Sequence, residues 1–318
     1  MDLSLNNIDK EWLINVNDLE FIETINIQDH VHIYKAYWRK HQVVCVKKIK
    51  LTPENIKLVD REIDILSKCV HPKICQYLGS GVTDLYPLRV QFPKKGTSNV
   101  PSESYVHILF EYMEQGNLHD YVTNNDLSYE TKLDILKSIL IGMHYLSSRT
   151  PEKIIHRDFK PTNILVNKHS EIKICDFGVS KQLYNTDSKT MKRAWSSSLL
   201  IAHSDDNTDI SHTGIGTVRW AAPEIILDES VYDETCDIYS FGLLAFFVLT
   251  NGVVPYFEEY GNNLAQISYA KAMHKRPFLE HQGILNDESM MRMITECTEK
   301  DSSLRPKNAD VILNTYFE

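Results

Sequence analysis

The sequence predicts an α+β protein of two lobes, in which a small antiparallel β-sheet lobe with one helix precedes a larger, mainly helical lobe. Residues 21–50 are rich in Val, Ile, Tyr and Trp, with polar breaks near Asp29 and residues 39–42, which is typical of three antiparallel strands. Beyond Gly116, apolar residues recur at helical spacing towards the C-terminus. We therefore expect the two lobes to join near residues 112–116.

One helix interrupts the strand-rich half, over residues 51–68. Its apolar residues repeat at helical spacing: Ile56, Val59, Ile63 and Leu66. Thr52 is a candidate cap, and Pro53 suits a first helical turn. Two more strands are expected near residues 74–78 and 106–111, separated by a polar insertion over residues 85–105.

Two helices define the second half. The first begins after a Ser128 cap and carries apolar residues at helical spacing: Leu133, Leu136, Leu140 and Met143. The second, over residues 234–250, is apolar nearly all round, which predicts a helix buried at the centre of this half.

Composition limits the classes of partner. The 318 residues carry a formal net charge of −9, which disfavours nucleic acid or an anionic membrane as the main partner. Six cysteines without a CxxC pair favour free thiols over zinc. The longest apolar run, LLAFFVL, is too short to span a membrane. We expect a cytoplasmic protein with no membrane span and no nucleic-acid partner.

Two motifs carry the chemistry: IIHRDFKPTNILV at residues 154–166 and ICDFG at residues 174–178. Either HRD or DFG alone would be an ordinary loop sequence, whereas the ordered pair, with Asn163 following Asp158 at this spacing, is specific. A positioned carboxylate, a lysine and hard oxygen ligands are what phosphoryl transfer requires.

These motifs resemble the catalytic loop and the metal-binding turn of the eukaryotic protein kinase family. The resemblance covers about residues 20–318 and implies the bilobed protein-kinase fold, with ATP and Mg²⁺ as cofactors. It implies that Asp158 accepts or orients the proton of the attacking hydroxyl, that Lys160 neutralises the transferred phosphate, and that Asn163 and Asp176 bind Mg²⁺. Lys160 further implies a serine/threonine acceptor in a protein substrate, and DFGVSK leans towards the tyrosine-kinase-like group.

Upstream, VCVK at residues 44–47 resembles the family's lysine-bearing strand. The resemblance places Lys47 against the α- and β-phosphates and pairs it with Glu62 on the predicted helix.

The resemblance also implies an adenine site. Cys45 stands where the family usually has alanine, Phe110 stands at the gatekeeper position, and Leu165 forms the floor. Glu111 and Met113 offer backbone groups to adenine. Phe110 and Met113 are equally compatible with simple core positions.

Downstream, GTVRWAAPEII at residues 216–226 resembles the family's substrate-binding loop. It implies hydrogen bonds from Thr217 to the catalytic loop and a structural ion pair between Glu224 and Arg305. Asp237 is expected to hold the catalytic-loop backbone, and His156 to pack beneath that loop.

The activation segment, residues 176–224, is rich in serine and threonine. Arg157 could pair with a phosphate in this segment. We therefore hypothesise activation by phosphorylation, through a regulatory kinase or autophosphorylation. A flexible loop without a regulatory role has the same composition.

The stretch TINIQDHVHIYKA, residues 24–36, lies where the family has a glycine-rich loop, yet it contains no glycine. The resemblance implies that this loop binds the nucleotide through Ile25, Asn26, Gln28, Val31 and Ile33, and the family pattern GxGxxGxV falls on the last four of these residues. Since glycine lets backbone N–H groups approach phosphates, we expect weaker ATP binding or slower turnover. His30 or His32 could replace some of these contacts.

Two functions stay open: an active serine/threonine kinase, and a pseudokinase acting as a scaffold or allosteric partner with weak or no turnover. A small-molecule kinase is disfavoured by the substrate-binding loop at residues 216–226. We divide the chain into an N-terminal extension, residues 1–18, and a kinase domain, residues 19–318, with lobes at 19–112 and 113–318.

Overall fold

The computed structural model describes residues 10–28, 30–83, 104–184, 218–227, 232–276 and 287–317. The chain divides into two compact units. The first contains Met1–Gln115, Asn167–Glu171 and Cys175–Val179, and the second contains Gly116–Val166, Ile172–Ile174 and Ser180–Glu318. The first unit holds an antiparallel sheet with one long helix and the second is mainly helical, so the predicted α+β class is confirmed.

The first unit is built on a five-stranded antiparallel sheet of order β1-β2-β3-β5-β4. Its strands are β1 (Leu19–Gln28), β2 (Val31–Trp38), β3 (Gln42–Lys50), β4 (Tyr77–Thr83) and β5 (Tyr105–Glu111). The first three strands and β5 lie where the sequence predicts them. The fourth strand begins at Tyr77 rather than 74, and the predicted insertion overlaps the start of β5 at Tyr105.

Helix α1 (Ile56–Lys68) packs one apolar face, and its N-cap is Asn55. The prediction of a cap at Thr52 was wrong by one turn. Thr52 donates its N–H to Asn55 Oδ1 at 2.9 Å, and the Asn55 N–H donates to Thr52 Oγ1 at 3.3 Å. These bonds close a separate turn that contains Pro53, because the two polar side chains satisfy each other before the helix begins.

The second unit contains helices α2 to α9 and two short antiparallel ladders. The helices are α2 (Leu118–Asn124), α3 (Tyr129–Ser148), α4 (Pro223–Ile226), α5 (Thr235–Leu249), α6 (Phe257–Tyr260), α7 (Leu264–Ala272), α8 (Glu288–Cys297) and α9 (Ala309–Tyr316). The ladders pair β6 (Glu152–Ile155) with β9 (Lys181–Tyr184), and β7 (Ile164–Val166) with β8 (Ile172–Ile174).

Helix α5 is the centre of the second unit, as its all-round apolar pattern predicts. Each of its 15 residues is buried, and it contacts both α3 and α8. Gly242 permits the close approach of α8, because a Cβ there would lie 2.8 Å from Cys297 Cβ and from Thr298 Cγ2. Ser128 caps α3 as predicted, by accepting the Thr131 N–H.

Among the helices in the described part of the chain, none combines the length and apolar character needed to cross a membrane.

Candidate active site

Three charged side chains meet in the first unit. The Lys47 Nζ on β3 lies 2.6 Å from Glu62 Oε1 on α1 and 3.1 Å from Asp176 Oδ1. Glu62 occupies the buried face of α1, beside Val59 and Ile63. The helical spacing of the apolar residues thus turns the carboxylate towards the strand.

Burial and charge act against each other at this cluster. Burial alone would lower the pKa of Lys47, but the carboxylates of Asp176 and Glu62 outweigh it and hold that pKa above its usual value. Lys47 is therefore a fixed cation near neutral pH. Burial raises the pKa of Glu62, while the Lys47 ammonium opposes the rise.

Asp176 is held by its backbone as well as by Lys47. Its φ is +62°, in the left-handed region, and Phe177 beside it is fully buried. Gly178 donates its N–H to Asp176 Oδ1 at 3.4 Å. The Asp176 side chain is still 43% exposed, so its carboxylate is open to a ligand.

Strand register gathers the predicted loop residues on the face of the sheet that carries Lys47. Asn26 is paired with Ile33, which is paired with Lys47, and Gln28 is paired with Val31. Paired residues of neighbouring antiparallel strands project to the same face. Asn26, Gln28, Val31 and Ile33 therefore share the Lys47 face.

The backbone conformation of the hairpin formed by β1 and β2 does not require glycine. Among the described residues of β1, β2 and the turn between them, none has a positive φ. Asp29 lies outside the described residues. Ile25 lies at a register irregularity between Thr24 and Asn26 and is 49% exposed. In its described residues the loop is thus a pair of antiparallel strands, whose side chains remain where the resemblance places glycine.

The hypothesis that a histidine contacts phosphate does not suit His32. It is paired with Lys48, whose ammonium lies over the Tyr105 ring, so it is on the face opposite to Lys47. Its Nδ1 lies 3.1 Å from the Tyr34 hydroxyl. His30 is exposed in the turn, where its carbonyl accepts the Lys50 N–H at 2.8 Å.

The predicted adenine-site residues of the first unit lie on and just after the sheet. Cys45 is paired with Phe110 and therefore shares the Lys47 face, and Phe110 and Met113 are buried. Burial raises the pKa of the Cys45 thiol to about 11, so it packs as a neutral group. The Glu111 N–H is used within the protein, donating to Gln76 O at 3.0 Å.

A second charged cluster lies in the second unit, on the loop between β6 and β7. The Lys160 Nζ lies 2.7 Å from Asp158 Oδ2. The Asn163 amide donates to the same carboxylate at 2.8 Å and to the Asp158 carbonyl at 2.9 Å. These residues are close together in the sequence, and a 3-10 turn, Pro161–Asn163, brings Asn163 back towards Asp158.

The backbone of this loop is anchored by Asp237 at the start of α5, as predicted. Asp237 accepts the N–H groups of His156 and Arg157, at 2.8 and 2.7 Å. Burial raises the pKa of Asp237, although His156 and the two N–H bonds act in the opposite direction. His156 is fully buried against Phe159, with ring centroids 4.5 Å apart, which confirms its packing role.

Arg305 and Glu224 form the predicted buried ion pair. The two guanidinium nitrogens lie 2.5 and 2.8 Å from the two carboxylate oxygens, and both residues are buried. Such a bidentate arrangement fixes orientation as well as charge.

Not every predicted site residue can be placed beside these clusters. Leu165 lies on β7 in the second unit, where it forms an isolated antiparallel bridge with Asn117. Thr217 and the serine- and threonine-rich part of the activation segment lie outside the described residues. Asn163 and Asp176, the predicted Mg²⁺ ligands, belong to different compact units.

Two features of the second unit had no sequence prediction. The Tyr232 hydroxyl accepts from Arg157 Nη1 at 2.9 Å, with the Lys181 ammonium 3.5 Å away. Lys271 on α7 is fully buried and donates to Ala221 O at 2.6 Å. A single tyrosine or lysine in the sequence does not indicate that its side chain makes such a contact.

The chain matches the family described as "Protein kinase domain" over residues 30–317, and it therefore belongs to the protein kinase family. The probable serine/threonine-protein kinase kinX of Dictyostelium discoideum is 26% identical over 98% of this chain and 24% of its own length. The serine/threonine-protein kinase dst1 of the same organism is 31% identical over 90% of this chain and 32% of its own length.

A viral relative, the putative serine/threonine-protein kinase/receptor R826 of Acanthamoeba polyphaga mimivirus, is 28% identical over 95% of this chain and 15% of its own length. The chain thus spans between 15% and 32% of the length of these three relatives. The resemblance to the protein kinase family is thus confirmed.

Proposed function

We propose that this chain is an active serine/threonine protein kinase, which transfers the γ-phosphate of ATP to a hydroxyl of a protein substrate with Mg²⁺. The observation that carries the proposal is the Lys47 ammonium held between Glu62 and Asp176, at 2.6 and 3.1 Å. A preorganised cation of this kind stabilises phosphate charge without reorganisation during the reaction.

The second cluster supplies the remaining groups. Asp158, whose carboxylate Lys160 and Asn163 hold in place, orients the substrate hydroxyl and accepts its proton. Lys160 neutralises charge on the transferred phosphoryl group. Cys45, Phe110, Glu111, Met113 and Leu165 form the proposed adenine site.

The residues present fit Mg²⁺ by the chemistry of their donors. Asp176 offers a partly exposed carboxylate. Asn163 directs its amide nitrogen at Asp158, which leaves the amide oxygen as a hard ligand. Asp176 and Asn163 would hold Mg²⁺, which would supply positive charge to neutralise the charge that develops during transfer.

Phosphorylation of generic protein substrates with Mg²⁺-ATP tests the proposal. Lys47→Met should abolish transfer, and Lys48→Met is the matched control, because Lys48 is the next residue of β3 and projects to the opposite face. Asp158→Asn and Asp176→Asn should also abolish transfer. Phosphoserine and phosphothreonine are the expected products; phosphotyrosine alone would contradict the assigned acceptor.

The second candidate is a pseudokinase, and the glycine-free hairpin favours it. If the wild-type protein transferred no more phosphate than Lys47→Met and its melting temperature did not rise with Mg²⁺-ATP, a scaffold or allosteric role would replace the proposed one. A cytoplasmic location, the domain limits at residue 19 and activation by phosphorylation within residues 176–224 remain expectations from the sequence.

A further inference from the structure

Residues 10–18, which we name the N-terminal strap, lie against the β4 edge of the sheet. The Ile14 N–H donates to Ser80 O at 3.0 Å, and Leu13 forms a parallel bridge with Ser80. Strand β4 is an edge strand of the sheet, so the strap occupies backbone groups that would otherwise be open to another chain. The strap precedes residues 30–317, the part that matches the family.

Strand β4 has glycine at two positions where the strap leaves no room for a side chain. A Cβ at Gly79 would lie 2.6 Å from Trp12 O, and one at Gly81 would lie 2.6 Å from Ile14 O. The φ of Gly79 is +139°, so its backbone also favours glycine. Gly81 has no positive φ, and the strap alone accounts for the absence of a side chain there.

The strap also belongs to the core of the first unit. Ile14 is only 7% exposed and packs into a cluster with Val44, Val46 and Leu109. These residues lie on the face of the sheet opposite to Lys47, because side chains alternate along each strand. The strap therefore folds with the sheet rather than as a separate tail.

Aromatic rings connect the strap to the proposed adenine site. The Trp12 and Tyr77 ring centroids are 5.2 Å apart, and those of Tyr77 and Phe110 are 6.4 Å apart in an edge-to-face arrangement. The Tyr77 hydroxyl donates to Ser80 Oγ at 2.9 Å. Ser80 thus accepts one hydrogen bond from Tyr77 at its side-chain oxygen and one from Ile14 at its carbonyl oxygen. Together these bonds hold Tyr77 between Trp12 and Phe110.

We propose that Trp12 is a positioning residue for nucleotide binding: through Tyr77 it holds Phe110, and so sets the wall of the adenine site. The inference rests on the proposed function, because that function assigns Phe110 to the nucleotide. Trp12 itself touches no reacting group. Loss of its ring removes one support of Tyr77 and lets Phe110 take other positions, which weakens ATP binding before it affects chemistry.

The test compares Trp12→Ala with Leu13→Ala in the full chain. Leu13 is its neighbour in the strap, and its side chain is 45% exposed. We expect Trp12→Ala to raise the KM for ATP about three- to tenfold with kcat within about twofold, and Leu13→Ala to change neither. Trp12→Phe, which keeps a ring, should restore the KM. If Trp12→Ala does not fold, Trp12→Leu takes its place.

A second variant separates positioning from stability. Gly81→Ala displaces the strap without removing an aromatic ring, and it should raise the KM for ATP in the same way. If Trp12→Ala and Gly81→Ala lowered the melting temperature but left the KM unchanged, the strap would be structural only and the inference would be overturned.

Hydrogen exchange tests the link from Trp12 to Phe110 independently of whether the protein transfers phosphate. The amides of Leu109 and Phe110 should exchange faster in Trp12→Ala than in Leu13→Ala, whether or not the protein transfers phosphate. Absence of transfer by the wild-type protein would remove the proposed function alone, whereas unchanged exchange would contradict the link from Trp12 to Phe110.

Discussion

Arg157 donates its backbone N–H to Asp237 Oδ1 at 2.7 Å while its own φ is +66°. A non-glycine residue in the left-handed region is strained, and the bond to a buried carboxylate holds it there. Asp237 accepts the His156 N–H as well. Asp158, the proposed acceptor of the substrate proton, directly follows this anchored pair.

Asp237→Asn should therefore lower kcat. The two N–H groups bind different oxygens of Asp237, and an amide replaces one of these oxygens with an NH₂ group, so one N–H is left facing a donor. We expect kcat to fall about 10- to 100-fold with little change in ATP affinity, because the Lys47 cluster does not depend on this anchor. Asp233→Asn is the control, since Asp233 accepts the Thr235 N–H with Oδ1 and the asparagine oxygen can accept it as well. Equal kcat values for the two variants would refute the expected role.

Arg305→Met should destabilise the protein by about 3–5 kcal/mol, because it leaves the Glu224 carboxylate buried without its partner. Arg305→Lys should recover only part of the loss, since an ammonium cannot form the bidentate contact. Urea unfolding measures both. Arg292→Met is the comparison, because Arg292 forms an exposed pair with Glu296 and its loss should change stability little.

A Glu224→Gln, Arg305→Met double variant checks the cause. If an unpaired carboxylate is responsible, the double variant should be more stable than Arg305→Met alone. A double variant that is less stable would point to lost packing of the arginine instead.

His107 on β5 should make stability depend on pH. Burial, followed by the nearby Lys48 ammonium, lowers the pKa of His107 to about 4. It is 1% exposed, and its Nδ1 has no hydrogen-bond partner among the described residues. The unfolded chain binds this proton below a pKa of about 6.5, and the folded chain only near pH 4. Stability from this group is therefore present above about pH 6.5 and is lost as the pH falls towards 4.

The loss should amount to roughly 2–3 kcal/mol across that window, as measured by urea unfolding at several pH values. His107→Gln should remove this part of the pH dependence. His119→Gln should leave it intact, because His119 is exposed beside Asp120. Parallel pH profiles for wild type and His107→Gln would show that other groups cause the acid sensitivity.

The glycine-free hairpin supports a prediction with two opposite effects. Val31→Gly should destabilise the sheet by about 1 kcal/mol, because glycine in a strand loses entropy and packing. It should also tighten ATP binding, because it removes a β-branched side chain on the Lys47 face. Calorimetric titration and thermal unfolding check the two effects. Unchanged or weaker ATP affinity would mean that the loop accepts phosphates with its side chains in place.

The charged clusters were predictable because their signals are local. Lys47, Asp158 and Asp176 each belong to a short motif, and the family resemblance pairs Glu62, on the predicted helix, with Lys47. The structure pairs Lys47 with Glu62 as the resemblance implies, whereas the contact between Lys47 and Asp176 had not been predicted. Burial of α5 was predictable for the same reason, since its apolar pattern has no polar face.

The strap was not predictable, because its contacts are short and non-local. Trp12 and Ile14 form no periodic pattern in the sequence. The steric requirement for glycine at position 81 can be recognised only once Ile14 is seen to lie against it. Asn55 as the α1 cap was missed because Thr52 is an equally good capping residue by type, and only the turn between them decides. His32 could be assigned to a face only once the register with Lys48 was known.

The burial of α5 on every side has a consequence for synthesis of the chain. Helix α3 precedes α5, but α8, which covers another side of it, ends only at Cys297. While the ribosome adds the intervening residues, α5 exposes an apolar surface that no later helix has yet covered. We expect this stage to be the one at which the nascent protein binds chaperones most strongly and aggregates most readily.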